Sequence, residues 1–189
     1  MHHHHGRYKR KISYLESPKR RKEFSPEQLL NMIPIKEKDN ILDFGAGTGY
    51  FSIPAAKRIK GDVYALDIDP SMLEIIKKKS REENQENIIA VQGSIEALPL
   101  GEGSVDVIIA SLVLHEIQPL APLMQQMYTL LKKEGYLICL ELEPKVSSEK
   151  VPRINLERME VELKEAGFQI SEKVFPAESL YMLIAKKTD

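Results

Sequence analysis

From Asn40 onward, short apolar runs alternate with longer amphipathic ones. ILDF, residues 41–44, reads as a buried strand, and Tyr50 to Ile59 as a helix with Pro54 tolerated near its first turn. DVYALDI is a second strand. The run DPSMLEIIKKKSREEN predicts a helix with Asp69 as cap, Pro70 at its first position and a Glu74–Lys78 pair along one face. NIIAVQG is a third strand, and SVDVIIASLVL is apolar almost throughout, as a strand covered on both faces must be. Pro119 to Lys133 places Leu120, Leu123, Met124, Met127, Leu130 and Leu131 on one helical face, with Gly135 where a left-handed cap is expected. GYLICLELE is a fifth strand, and INLERMEVELKEAG a helix closed by Gly167. FQISEKVF and SLYMLIAKK are close enough in sequence to pair antiparallel without a crossover. Strand and helix in alternation, then a hairpin, predict an α/β, doubly wound, mostly parallel seven-stranded sheet with helices on both faces. Ligands in such sheets sit beyond the carboxyl ends of the strands, near the switch in strand order.

The segment ahead of this pattern differs. Residues 1–6 open with MHHHH, a tag or a natural histidine-rich end, and stand outside the fold. Residues 7–34 form a basic arm with the clusters RYKRK and PKRRK, ending in a short helix capped by Ser25 with Pro26 first and Leu29, Leu30 and Ile33 as its apolar stripe. The arm reads as a solvated segment or lid folded over the main domain, residues 35–189, and nucleic acid is its alternative partner. Composition narrows the classes. The chain has 189 residues, 42% of them hydrophobic and 29% charged, with a formal net charge of -1. That is one domain with a full core and no broad excess of either charge. Cys139 is the single cysteine, which excludes a disulfide framework and fits a reducing, cytoplasmic setting. No apolar run approaches the roughly 20 residues that span a bilayer. Oligomeric state is not legible in the sequence.

GAGTG, residues 45–49, follows the first strand, and three ligand classes compete for it. A P-loop requires Lys then Ser/Thr after its last glycine, and here Tyr50 and Phe51 follow Gly49. A dinucleotide site requires a third glycine at position 50, and the carboxylate of Asp43 would face its pyrophosphate. S-adenosylmethionine fits the residues better. It carries an ammonium and a sulfonium but no phosphate, so a carboxylate at the lip of the first strand is an asset, and Asp67 can accept bonds from its ribose.

ILDFGAGTGYFSIPAA, VYALDIDPSML, VQGSIEALPLGEGSVDVIIASLVLHEI and LLKKEGYLICLELEP together resemble the successive motifs of the class I S-adenosylmethionine-dependent methyltransferases. The likeness is to the type 11, ubiquinone/menaquinone-methyltransferase-like group, whose fold is Rossmann-like. It runs from Asn40 to Lys187 in order, and LESPKRRKEFSPEQLL is similar to the lead-in helix of one branch. The resemblance implies that Asp43, Gly45, Gly47, Thr48 and Gly49 hold the methionine end, with Ser111 contributing near its amino group. It implies that Asp67 takes the ribose hydroxyls and that Ile68 packs on the adenine. Ser94, followed by Ile95, stands where many members carry an aspartate for the adenine amino group. Its hydroxyl can accept that bond without charge.

The acceptor is less legible. Methyl transfer from a sulfonium needs no metal and often no strong base, so absences say the most. No Asn/Asp-Pro-Pro-Tyr/Phe box follows the fourth strand, and Cys139 lies mid-strand, where it reads as packing. His115 and Glu116 sit at the ligand edge and are the candidates for proton removal, although a single histidine is more often structural. Glu141 and Glu143 share a face of the fifth strand, either toward the cleft or toward solvent. A small-molecule acceptor is the main expectation. A protein that binds S-adenosylmethionine without transferring methyl, an RNA or protein methyltransferase using the arm, and a dinucleotide oxidoreductase are the alternatives.

Overall fold

The computed structural model describes residue 17 and residues 25–144 and 152–188. Its elements are α1 (Pro26–Asn31), β1 (Ile41–Phe44), α2 (Ser52–Arg58), β2 (Val63–Asp67), α3 (Pro70–Glu82), β3 (Ile88–Gln92), β4 (Val105–Ser111), α4 (Ala121–Leu130), β5 (Leu131–Leu142), α5 (Leu156–Glu165), β6 (Gln169–Ala177) and β7 (Leu180–Lys186). The strands form one seven-stranded sheet in the order β3-β2-β1-β4-β5-β7-β6. The first five run parallel, and β7 is antiparallel to both β5 and β6. Strand order switches between β1 and β4, so the carboxyl ends of these two strands splay around the glycine loop.

Alternation along the central strands builds a core on each face. Leu42, Ile108, Leu137 and Cys139 pack with Met124 and Met127 of α4 and with Met159 and Leu163 of α5. Ile41, Val107, Ile109 and Ile138 pack on the other face with Leu29 and Leu30 of α1 and with Ala55 and Ala56 of α2. The lead-in helix is thus part of the domain core. Its Ser25 side chain accepts the N–H of Gln28, and Gln28 returns a bond to the Ser25 N–H, a complete capping box. Arm residues before Ser25, Ser17 apart, lie outside the described residues.

Four local expectations need correction. Helix α2 begins at Ser52, not Tyr50, because Gly47 and Gly49 hold left-handed φ values of 54° and 82° and keep the chain turning. Tyr50 and Phe51 therefore stay in the turn, their rings edge to face at 5.2 Å. Helix α4 stops at Leu130, not Lys133, since Leu131 already pairs with Val105 of β4. Glu134, rather than Gly135, takes the left-handed conformation, with φ 66°. Gly135 is needed for closeness: a β-carbon there would lie 2.8 Å from the Lys132 carbonyl oxygen. On α3, Glu74 pairs with Lys77 at 2.7 Å, and Lys78 pairs with Glu82 at 3.7 Å.

Candidate functional site

The carboxyl ends of β1, β2 and β4 open onto a cleft of about 250 Å³. Its floor is the loop after β1. Gly45 and Ala46 both donate their N–H groups to the Leu66 carbonyl, which ties the loop to β2 and turns it under the cleft. Asp67, at the end of β2, accepts the Gly47 N–H at 2.8 Å through one oxygen and the Asp69 N–H at 2.9 Å through the other. Asp69 in turn caps α3 by accepting the Ser71 N–H. The carboxylate of Asp67 is thereby oriented before any ligand arrives.

At the lip of β1, Asp43 is buried and its Oδ2 accepts the hydroxyl of Ser52 at 2.5 Å. Ser52 is the first residue of α2 and is fully buried, so the helix start holds the carboxylate. This partner is not recognisable from the sequence, where Ser52 simply falls inside the helix expected from Tyr50 to Ile59.

Among the described residues lining the cleft, Asp43, Asp67, Asp69 and Glu116 are acidic and none is basic. Gly45, Gly47, Ile68, Ser94 and Ser111 line it as well. Ile68 is 73% exposed, an unusual position for a large apolar side chain and one that a flat ligand would cover. Ser94 donates its hydroxyl to Glu96, which also accepts from Gln126. Thr48, Gly49, Ile95 and His115 stand outside the lining. Thr48 is buried, and its carbonyl accepts the Lys79 ammonium at 2.9 Å.

The fourth wall is the turn after β4. Leu112 adopts a left-handed φ of 56° and donates its N–H to Leu140 of β5 at 2.8 Å. Val113 then lies flush against the glycine loop: a β-carbon on Gly45 would meet Val113 Cγ2 at 2.5 Å. Leu112, Val113, Glu116 and Ile117 face the cleft, whereas His115 is buried behind them. Glu141 faces neither cleft nor solvent. It is 0% exposed and takes the Leu114 N–H at 2.8 Å and His115 Nδ1 at 2.7 Å. Glu143 is likewise occupied, accepting the Leu156 N–H at 3.0 Å at the start of α5.

A larger cavity of about 510 Å³ lies on the other side of the loop, between α1, α2 and α3. Its lining mixes lysines with glutamates, and Lys57 and Glu83 are already joined as an ion pair across it. It lies away from the strand ends. Among the described residues no group of three His, Cys, Asp or Glu side chains is placed to hold a metal, and no helix is long and apolar enough to cross a membrane.

Comparison with known proteins agrees with this geometry. A family described as Methyltransferase domain matches residues 42–139, which run from β1 through the loop and cleft walls into β5. The chain is similar to the demethylmenaquinone methyltransferase of Lactococcus lactis subsp. lactis, with 34% identity over 104 residues, or 54% of this chain and 41% of that protein. It therefore spans less than half the length of that relative. A SAM dependent methyltransferase from Aquifex aeolicus superimposes with a TM-score of 0.83 at 23% identity, covering 94% of this chain and 97% of that one. Haemonchus contortus phosphoethanolamine N-methyltransferase 2, in complex with phosphomonomethylethanolamine and S-adenosylhomocysteine, superimposes at 0.75 with 16% identity over 87% of this chain and 52% of that one.

Proposed function

The chain belongs to the methyltransferase-domain family of S-adenosylmethionine-dependent enzymes, and we propose that it moves a methyl group from that donor to a small, largely apolar acceptor. The observation that carries this reading is the charge of the cleft: four carboxylates and no cationic side chain among the described lining residues. Such a site favours a ligand bearing an ammonium and a sulfonium and disfavours a pyrophosphate.

The donor set fits. Asp43, held by Ser52, is the partner for the ammonium. Asp67 keeps lone pairs beyond the two backbone bonds it accepts, enough for a ribose diol. Ile68 offers its exposed face to the adenine, and Ser94 stands beside it at the rim. S-adenosylmethionine supplies a methyl group already activated by its sulfonium, so the protein's share is orientation and exclusion of water.

On the acceptor side, Tyr50, Phe51, Val113 and Ile117 form an apolar and aromatic wall with Glu116 at its edge. A flat ring bearing a hydroxyl suits that wall. Glu116 can take the hydroxyl proton as the oxygen or an adjoining ring carbon gains the methyl group and S-adenosylhomocysteine leaves. In the ring-carbon case that carbon's own hydrogen is then lost as a proton and the oxygen is reprotonated, restoring the ring. The likeness to a demethylmenaquinone methyltransferase supports a quinol-type ring as the first acceptor to try.

Methyl-labelled S-adenosylmethionine, incubated with the protein and a water-soluble, reduced demethylmenaquinone analogue, tests the acceptor. Protein-dependent transfer of label to the quinol is the expected outcome. Saturable S-adenosylhomocysteine binding without such transfer would exclude the quinol while leaving the donor assignment in place.

A further inference from the structure

A buried carboxylate needs a reason to be there, and the core beneath the cleft contains one that touches no ligand surface. Glu141 sits on β5 one residue past Leu140, the last residue paired with β4. Where the ladder ends, its side chain takes over. Oε1 accepts the Leu114 N–H at 2.8 Å and the His115 N–H at 3.4 Å, and Oε2 lies 2.7 Å from His115 Nδ1. All three contacts are to the turn after β4, which has little repetitive structure of its own beyond a single 3-10 turn at Leu114–Glu116.

That turn bears on both halves of the cleft. Val113 presses on Gly45, where the glycine loop begins. Three residues on, Glu116 leans over the mouth with about half its side chain exposed (49%) and its Oε1 3.9 Å from His115 Nε2. With Oε1 already receiving backbone N–H groups, Glu141 is held as an acceptor, and the His115 proton belongs on Nδ1. His115 Nε2 lies on the Glu116 side of the ring, 3.9 Å from its Oε1, so a buried acid fixes the imidazole behind Glu116.

We propose that Glu141 is a positioning residue of the methyl-transfer site: by holding the His115 ring and the turn backbone, it sets where Val113 meets the glycine loop and where Glu116 stands over the cleft. The inference rests on the donor-binding reading above and assigns no direct ligand contact to Glu141. When the acceptor hydroxyl loses its proton, that proton goes to a Glu116 oxygen and from there to solvent.

The test uses the whole chain and S-adenosylhomocysteine as probe. Glu141→Gln keeps the volume but leaves a single acceptor oxygen for the turn. With that oxygen on the backbone N–H groups, its amide NH2 faces His115 Nδ1, which accepts it only by moving its proton to Nε2, toward Glu116. It should raise the Kd for S-adenosylhomocysteine about tenfold. His115→Asn retains an amide N–H for Glu141 and should leave the Kd within about threefold, whereas His115→Phe, which has no such donor, should match Glu141→Gln. Nitrogen NMR of His115, the one histidine outside the N-terminal run, should show the Nδ1–H tautomer in the parent protein and its loss in Glu141→Gln. Lys187→Met, at the opposite end of the sheet, controls for stability: it should lower the Tm and leave the Kd alone.

A Glu141→Gln protein that is only less stable, binding the probe as the parent does, would overturn the proposal. So would an Nε2–H tautomer in the parent. If Glu141→Gln does not fold, an unchanged Kd in His115→Phe overturns it equally. Failure of the parent itself to bind S-adenosylhomocysteine removes the donor-binding reading instead, a distinct result.

Discussion

Gly47 donates its backbone N–H to the Asp67 carboxylate across 2.8 Å, tying the glycine loop to the end of β2. Replacing Asp67 by Ala removes this tie and the proposed ribose acceptor together. S-adenosylhomocysteine binding should weaken by about 1–3 kcal/mol, the range for deleting a partner of buried hydrogen bonds. Calorimetric titration of the variant measures it, and unchanged affinity would place the ribose elsewhere.

Gly45→Ala probes the contact between loop and turn. Gly45 has a φ of 70°, and a new β-carbon would lie 2.5 Å from Val113 Cγ2. Backbone strain and overpacking add in the same direction, each about 1–2 kcal/mol. Urea unfolding should show a loss of about 2–4 kcal/mol, and the paired variant Gly45→Ala/Val113→Ala should recover part of it.

Lys187 is a stability residue remote from the cleft. It is buried, and its ammonium donates to the carbonyls of Tyr128 at 2.8 Å and Leu131 at 2.9 Å while lying over the Tyr128 ring. These are orphan carbonyls at the end of α4, which the charge also complements. Lys187→Met should cost about 1.5–3 kcal/mol in urea unfolding, the worth of hydrogen bonds to a charged group, with no change in ligand affinity.

Cys139 and Tyr181 give the protein an alkaline limit. Burial pushes the Cys139 thiol well above its ordinary 9.0, with the Glu141 charge adding to it. Burial pushes the Tyr181 hydroxyl above 10.0, with Glu141 and then Cys139 adding. Both folded values are raised, so the unfolded chain loses these protons first. Stability is whole below pH 9 and should fall above it by about 1.4 kcal/mol per pH unit for each group that only the unfolded chain has ionised. Urea midpoints from pH 8 to 11 measure the slope, and Cys139→Ala should flatten its first part. A thiol reagent should modify the native protein no faster than it unfolds.

The fold was legible because its signals are local. The strand periods, the Asp69-Pro70 cap and the Ser25-Pro26 cap each depend on residues a few positions apart, and the structure has them in place. What escaped the sequence depends on partners distant in the chain. Alternation along β5 puts Glu141 and Glu143 on one face but says nothing of the turn 26 residues earlier that occupies Glu141. Gly135 looks like a left-handed cap until the Asp106 and Lys132 carbonyls are seen closing on it. The acids of the cleft could be read from sequence because they adjoin the glycine loop and the strand ends. The Ser52 hydroxyl that holds Asp43 could not, since its direction depends on where α2 begins.

Calorimetric titration of the intact protein with S-adenosylhomocysteine, and in parallel with NAD, tests the central claim most directly. Saturable binding of the first and silence from the second is the predicted result. Binding of NAD, or no heat with S-adenosylhomocysteine at any concentration reached, would contradict the assignment of an acidic, phosphate-excluding cleft to a methyl donor.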